Sequence, residues 1–342
     1  MTTITVDRNA LLPALAAAGK AVERRSTIPI LQNVLLEASG GRLAVTGTDL
    51  DIEVTIDLPA QSDGQAAFSL PSGLLHDTVR KLPDGCEIRL TVEPTTAQLS
   101  AGRSRFRLQV LPAADYPRFT PVEPSHSFAL PGQALDRVVS TLAFAISTEE
   151  TRYYLNGIYL HEHRDAGALV TVATDGHRLA KLALPLPEGA AGMPGIILPK
   201  KTVQIVHALL AGEGDVSIDM TETRIRFSRA NGPTLTSKLI DGTYPDYQRV
   251  IPGANANRFH VDRAALASAA DRVMTVSAER GRPVKQAYEA GTLKLAVANP
   301  DSGSAEEEIA VDLVEGEPVE IGFNGKYCLD MLAACACERV EV

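Results

Sequence analysis

The segment TVATDGHRLAK, residues 171–181, places a threonine, an aspartate, a histidine and an arginine within five residues of one another. A histidine beside a carboxylate can act as a general base, but it then needs a nucleophile or a metal within reach. The chain has no serine elbow, HExxH pair, glycine-rich phosphate loop or paired metal motif. An enzyme that uses His177 with Asp175 or Asp49 is therefore disfavoured.

The alternation of apolar and polar residues predicts the elements around this segment. Apolar Val172 lies between small and polar neighbours in a β-prone run, and Asp175-Gly176 is a dipeptide typical of tight hairpin turns. Leu179 opens a second apolar run. The sequence predicts a strand, a tight turn and a second strand, with His177 just past the turn.

Two other clusters could bind a metal. HEH at 161–163 offers two imidazoles from one side of a strand but has no evident third ligand. CAC at 335–337 lacks the two-residue gap of a metal knuckle. The first is predicted to be a solvated strand end and the second a pair of small buried residues on a helix. No metal and no cofactor are expected.

Composition indicates a globular protein of two or three domains. The chain has 342 residues, of which 45% are hydrophobic and 22% charged. It has no basic-then-apolar signal pattern, and no apolar run approaches the roughly 18 residues that a membrane span needs. Four cysteines fit a reducing compartment. The predicted location is the cytoplasm.

Landmarks recur at intervals near 125 residues. Asp49 and Asp175 lie in matching Thr-Asp motifs 126 residues apart, and Tyr116 and Tyr244 lie in matching Tyr-Pro motifs 128 residues apart. A weaker third copy occupies 293–311. Each unit also opens with an amphipathic helical pattern. The period predicts three copies of one domain.

The predicted domains are 1–122, 128–253 and 257–342. In each copy the order is helix, several strands, helix and several strands, which predicts an α+β domain with two helices laid on sheet. Three full copies would need more residues than the chain has. The third copy has no counterpart of the Tyr-Pro motif, so it is expected to lack its last strands.

Charge is unevenly distributed. The net charge is −9, which alone argues against nucleic acid, yet lysine and arginine exceed aspartate and glutamate by seven across the six predicted helices. A mildly basic helical face could hold a polyanion without specific readout. That helices simply carry more lysine and arginine is an equal alternative on this evidence.

The chain resembles the β subunit of bacterial DNA polymerase III, the sliding clamp, from its first residues to its last. The resemblance rests on TIPILQNVLLEA, VTGTDL, GRSRFRLQVLPAADYP, TRYYLNGIYL, TVATDGHRLA, TSKLIDGTYPDYQRVIP and EIGFNGKYCLDML. It implies a head-to-tail homodimeric ring of six similar α+β domains, with helices lining the hole and antiparallel sheets outside. It also implies a non-catalytic processivity factor that slides on duplex DNA.

The resemblance implies three sets of site residues. Replicative polymerase, clamp loader and other clamp-motif proteins would dock a short peptide in an apolar groove formed by Leu155, Thr174, Gly176, His177, Arg178, Leu179, Pro245, Arg249, Val250, Asn324 and Tyr327. Double-stranded DNA would be contacted, independently of sequence, by Arg25, Tyr153, Tyr154, Lys200 and Lys201. The dimer interface would hold Arg103, Arg105, Phe106, Leu108, Val276, Glu306, Glu307 and Glu308.

Three departures from the family pattern weaken parts of what the resemblance implies, and the last two of them support an alternative. Gly73 and Leu74 stand where the family commonly has basic residues, and Glu149 and Glu150 would repel DNA. The expected missing strands would remove one wall of the peptide groove. The alternative is a clamp paralogue that acts as a partner-binding adaptor without encircling DNA.

Overall fold

The computed structural model describes residues 1–23, 25–253, 255, 257–277, 283–289 and 291–342. The chain forms two compact units. The first comprises Met1–Val139, Glu149–Val172 and Leu182–Gly242, and the second comprises Ser140–Thr148, Ala173–Lys181 and Thr243–Val342. No helix among the described residues is long and apolar enough to cross a membrane.

Six α-helices lie within the described ranges. They are α1 (Arg8–Ala18), α2 (Ser72–Arg80), α3 (Gly132–Leu142), α4 (Lys200–Leu210), α5 (Arg263–Met274) and α6 (Gly325–Ala334). Three of them have side-chain N-caps, because Asp7, Asp262 and Asn324 accept hydrogen bonds from the first free N–H groups of α1, α5 and α6.

The strands are short and antiparallel. They are β1 (Thr2–Asp7), β2 (Asn33–Ser39), β3 (Arg42–Thr48), β4 (Ile52–Pro59), β5 (Gln61–Ser62), β6 (Ala66–Pro71), β7 (Glu87–Val92), β8 (Thr96–Ala101), β9 (Ser104–Gln109), β10 (Leu111–Pro112), β11 (His126–Pro131), β12 (Gly157–His163), β13 (Ala168–Thr174), β14 (Leu179–Pro185), β15 (Ile196–Pro199), β16 (Asp215–Met220), β17 (Arg224–Ser228), β18 (Thr234–Lys238), β19 (Arg258–Asp262), β20 (Pro283–Glu289), β21 (Thr292–Asn299), β22 (Gly303–Ala310), β23 (Asp312–Glu315), β24 (Val319–Asn324) and β25 (Arg339–Glu341).

The first unit is organised by a nine-stranded sheet in the order β10-β6-β2-β3-β4-β18-β17-β16-β11. The pairing of β4 with β18, with Val54 opposite Leu235, joins strands of the first and second predicted domains. A five-stranded sheet runs β5-β1-β7-β8-β9. Apolar faces of these strands pack against α1 and α2 around Leu11, Leu15 and Leu75, which are fully buried.

The second unit has two smaller sheets, ordered β23-β19-β25 and β22-β21-β20-β24. Their inner faces and the apolar sides of α5 and α6 form one core, in which Val284, Leu295 and Ala269 are fully buried. In β22 the sequence GSAEEEIA alternates half-buried and exposed residues, as expected for a strand with one solvated face.

The predicted α+β class and the order of helices and strands are confirmed, except that a strand precedes the first helix of each copy. The domain boundaries 1–122, 128–253 and 257–342 stay a prediction. The two compact units differ from the three predicted domains because the shared nine-stranded sheet merges much of the first two copies into one unit.

Candidate functional site

The Asp175 turn is built by local hydrogen bonds. One carboxylate oxygen of Asp175 accepts the backbone N–H groups of His177 and Arg178 at 2.9 and 3.0 Å. The Thr174 hydroxyl donates to the Arg178 carbonyl at 2.7 Å and accepts the Gly176 N–H at 3.1 Å. Gly176 has φ +89°, which a residue with a side chain rarely adopts. The predicted strand, turn and strand are confirmed.

Arg178 is the anchor of this turn. Its guanidinium donates to Asp175 at 3.0 Å and to Asp330 of α6 at 2.6 Å, and it lies 4.3 Å from the ring centroid of Tyr327. A second ring, Phe144, lies 5.1 Å away. The Arg178 side chain is only 14% exposed, so the pair of carboxylates offsets the cost of burying its charge.

Hydrogen bonds favour the ionised forms of Arg178 and Asp175. Burial opposes the charge of Arg178, but hydrogen bonds with Asp330 and Asp175 raise the pKa of the guanidinium above its ordinary value. Burial also acts against ionised Asp175, but hydrogen bonds from His177, then from the backbone and side chain of Arg178, hold the pKa of that carboxyl below its ordinary value.

This geometry argues against acid–base catalysis. Asp175 binds the backbone N–H of His177, and its second oxygen binds Arg178. The His177 ring instead lies 6.3 Å, centroid to centroid, from the ring of Tyr327. A base in a catalytic triad needs its ring oriented by a third group. The arrangement positions an exposed imidazole beside an aromatic ring.

The other predicted groove residues of the second unit range from half-buried to exposed. Val250 is 70% exposed, which is unusual for a large apolar side chain, and Pro245 is also exposed. Arg249 pairs with Asp246 at 3.0 Å. Leu179 is half-buried. Asn324 caps α6, and its side chain accepts the backbone N–H of Tyr327.

Leu155 belongs to the first unit, where it is buried at the end of a 3-10 helix, Glu150–Leu155. Its predicted role in the groove stays a prediction.

The predicted DNA-contacting residues all lie in the first unit. Arg25 is exposed and Lys200 begins α4. Lys201 forms an ion pair with Asp49 and donates to the Ala21 carbonyl at 3.2 Å. Part of its charge is therefore already neutralised within the protein.

The paired tyrosines pack edge to face, with ring centroids 5.8 Å apart. Tyr153 is 53% exposed and Tyr154 is half-buried. Glu149, expected to repel DNA, is engaged by Arg152 and by the Thr151 hydroxyl. This reduces the force of one departure from the family pattern.

Most of the predicted dimer residues lie on two sheet edges. β9 ends the five-stranded sheet of the first unit, and β22 ends the four-stranded sheet of the second. Arg103 and Arg105 are exposed near the first edge, and Phe106 is 38% exposed. Leu108, predicted to share this exposed edge with Phe106, is instead 4% exposed, because it lies opposite Ala97 and packs into the core.

The acidic edge is partly paired within the chain. Glu306 pairs with Lys294 at 2.7 Å, and Glu307 pairs with Arg272. Glu308 is exposed. Val276 follows α5, is half-buried, and its carbonyl accepts the Asn299 side-chain amide at 3.1 Å.

Sequence reasoning missed two members of the Arg178 cluster, Asp330 and Phe144. Asp330 lies 152 residues from Arg178 along the chain, so no local spacing links them. No signal in the sequence could have found it, because the burial of Arg178, which calls for a second carboxylate, arises only in the folded chain.

Three consecutive family models cover the chain. They are the N-terminal, central and C-terminal domains of the DNA polymerase III beta subunit, which match residues 2–120, 129–246 and 248–342. These are the three similar domains that the repeats predict. The chain belongs to the DNA polymerase III beta subunit family, the sliding clamps. Because the beta subunit is a non-catalytic processivity subunit, the expectation of a non-enzymatic protein is confirmed.

Curated relatives agree along the whole chain. The beta sliding clamp of Caulobacter vibrioides is 46% identical, with 99% of this chain and 92% of that protein covered. The beta sliding clamp of Escherichia coli is 34% identical with the same coverage.

A solved structure has the same fold. The sliding clamp of Bartonella birtlesii bound to griselimycin matches with a TM-score of 0.95 and 46% identity, covering 100% of this chain and 92% of that one.

Proposed function

We propose that this chain is a DNA polymerase processivity factor that closes into a head-to-tail dimeric ring, encircles duplex DNA and slides on it. The carrying observation is the whole-length match to sliding clamps, at a TM-score of 0.95. Tethering by topology needs no catalytic group. It needs a closed ring, a weakly attractive hole and a docking surface for partners.

Ring closure is proposed to join the β9 edge of one subunit to the β22 edge of its partner. Edge strands carry unpaired backbone groups that a second chain can complete. The β9 edge is basic, with Arg103 and Arg105, and the β22 edge is acidic, with Glu306 and Glu308. Opposite charges favour this pairing over two like edges, so they select the head-to-tail arrangement.

Attraction to DNA is proposed to be weak and independent of sequence. Arg25 and Lys200 would meet phosphates, while the exposed Tyr153 ring could stack on an unpaired base. Lys201 contributes less to this attraction than an unpaired lysine would, because its ion pair with Asp49 offsets part of its charge. A weak contact set suits sliding, since a tight one would hold the ring at one place.

Partner docking is proposed to use the surface around His177, Tyr327 and Val250. An apolar trough with a few fixed polar groups suits a short peptide. The Arg178 cluster would act as the rigid floor of this site rather than as a direct ligand, since its guanidinium is held by two carboxylates. We place this activity in the cytoplasm, where replication proteins act.

The decisive experiment separates a ring from an adaptor. The protein is loaded by a bacterial clamp loader with ATP onto a nicked circular plasmid and then passed through a sizing column. A ring stays with the circular DNA in high salt and leaves when one restriction cut makes the plasmid linear. An adaptor that does not encircle DNA would be lost from both forms while still binding a clamp-motif peptide.

A further inference from the structure

The segment after α6 carries two thiols two residues apart. α6 ends at Ala334, and Cys335 follows in an extended conformation with φ −78° and ψ 124°. Cys337 is exposed and Cys335 half-buried. The prediction that both are small buried residues on a helix is therefore wrong. The Cys335 N–H closes the last helical turn on Leu332 at 3.3 Å, and the chain then leaves the helix.

The two thiols are neighbours along the chain. One residue separates Cys335 from Cys337, and Cys335 itself is extended. Two residues of extended chain span at most about 7 Å between Cα atoms, which is the upper end of the distance that a disulfide bridges. Arg263 fixes both ends of the segment, because its guanidinium donates to the Cys337 carbonyl at 2.9 Å and to the Leu332 carbonyl at 3.3 Å.

The other two cysteines are placed differently. Cys328 is buried, and its sulfur accepts the Gln286 side-chain amide at 3.8 Å. Cys86 belongs to the first unit and is half-buried. Among the described residues no group of three or more histidine, cysteine, aspartate or glutamate side chains could hold a metal ion. A dithiol with no third ligand beside it is suited to redox chemistry.

We propose that Cys335 and Cys337 form a reversible intramolecular disulfide when the protein meets hydrogen peroxide or another small hydroperoxide. Exposure makes Cys337 the attacking thiol. Burial, followed by the neighbouring Cys337, raises the pKa of the Cys335 thiol, so Cys335 stays protonated and acts second.

The reaction balances in two steps. The Cys337 thiolate attacks one peroxide oxygen, the O–O bond breaks, and a sulfenic acid and hydroxide form. The Cys335 sulfur then attacks the Cys337 sulfur, the S–O bond breaks, and water leaves with the Cys335 proton. Overall, two thiols and one peroxide give one disulfide and two waters. A small, exposed disulfide ring is strained and easily reduced, so a thiol reductant restores both cysteines.

The test counts thiols in the whole protein. Treatment with a small excess of hydrogen peroxide, then iodoacetamide under denaturing conditions, should lower the alkylated thiols from four to two per chain. The intact mass before alkylation should fall by two hydrogens, the chain should stay monomeric on a non-reducing gel, and dithiothreitol should reverse both changes. Peptide mapping of the unsubstituted protein should place the bond between Cys335 and Cys337.

Cysteine-to-serine variants separate the role of the attacking thiol from that of the second thiol. Cys86→Ser should still lose two thiols. Cys337→Ser should keep its remaining three, while Cys335→Ser should lose one thiol with addition of oxygen at Cys337. The proposal is overturned if all four thiols of the unsubstituted protein survive, if disulfide-linked dimers form instead, or if Cys337 gains oxygen while Cys335 stays free.

Discussion

The Arg178 guanidinium donates to the Asp330 carboxylate at 2.6 Å, across 152 residues of sequence. This bond ties the turn that presents His177 to the helix that presents Tyr327. The exposed ring of His177 and the half-buried ring of Tyr327 therefore both depend on one buried charge, which neither ring contacts as a hydrogen-bond partner.

Asp330→Asn is expected to lower the free energy of unfolding by about 1.5–3 kcal/mol, the range for losing a hydrogen bond to a charged group. The loss should be at the upper end because Arg178 is buried and keeps only Asp175. Urea unfolding at neutral pH measures it. Peptide affinity should fall as well, since the turn loses its tie to α6.

The matched control is Asp312→Asn, which breaks an ion pair with Arg339 in which both side chains are more than half exposed. Exposed pairs contribute about 0–1 kcal/mol. Equal losses in the two variants would mean that Arg178 is not held by Asp330 in solution.

Asp175 should make stability depend on pH. Its pKa is lower in the folded protein than the ordinary 3.8, so its stabilisation is complete above that value and is lost as pH falls through the folded-state pKa. The stability difference between the unsubstituted protein and Asp175→Asn should therefore shrink as pH drops below about 4. Urea unfolding at a series of pH values gives this difference directly.

Glu53 should change stability with pH in the direction opposite to Asp175. Burial raises its pKa above 4.5, despite the hydrogen bond that it accepts from the Phe119 N–H. A raised folded-state pKa means that its favourable contribution is present below the unfolded value and is lost as pH rises through the folded one. The free energy of unfolding of Glu53→Gln should therefore rise relative to that of the unsubstituted protein as pH rises above 4.5. If the two variants followed the same trend with pH, one of the two assignments would be wrong.

The sequence was sufficient for the Asp175 turn because its bonds are local: Thr174, Asp175 and Gly176 fix it without help from distant residues. It was also sufficient for the repeated order of elements, since burial leaves a period in the chain. It could not supply Asp330, which meets Arg178 only after folding.

The sequence also did not predict which residues of a strand face are buried. Phe106 and Leu108 have the same spacing and similar chemistry, yet only Leu108 reaches the core. Alternation predicts which residues share a face of a strand, but not how far the core extends beneath that face. The pairing of Lys201 with Asp49 escaped the sequence for the reason that applies to Asp330, a separation of 152 residues.

Asp49→Asn should strengthen DNA binding. The substitution frees Lys201 from its ion pair, while the amide oxygen can still accept the backbone N–H groups of Asp51 and Ile52. One added phosphate contact should steepen the slope of log affinity against log salt by about one, and Arg25→Ala should flatten it by the same amount. Titrations of a duplex at several salt concentrations provide the slopes.

Asp51→Asn is the control for net charge, since it frees Lys238, which lies outside the proposed DNA-contacting set. Its slope should match that of the unsubstituted protein. An equal rise in both variants would show that overall charge, rather than the position of Lys201, governs the attraction.

Phe106→Ala should weaken the dimer and leave the subunit folded. Phe106 is exposed at the β9 edge, so its contribution is expected across the proposed interface. Loss of one buried aromatic contact is about 1.5–3 kcal/mol, or roughly ten-fold or more in the dissociation constant. Sedimentation equilibrium measures this constant.

Leu108→Ala separates the interface from the core two residues away. Leu108 is buried within its own subunit, so its truncation should lower the free energy of unfolding by about 2–5 kcal/mol. The charge pair gives a second check: Arg105→Glu should weaken the dimer, and adding Glu308→Arg should restore part of the loss, because the two edges then exchange signs. If Phe106→Ala dimerises as strongly as the unsubstituted protein and the double charge reversal restores nothing, ring closure does not use the β9 and β22 edges.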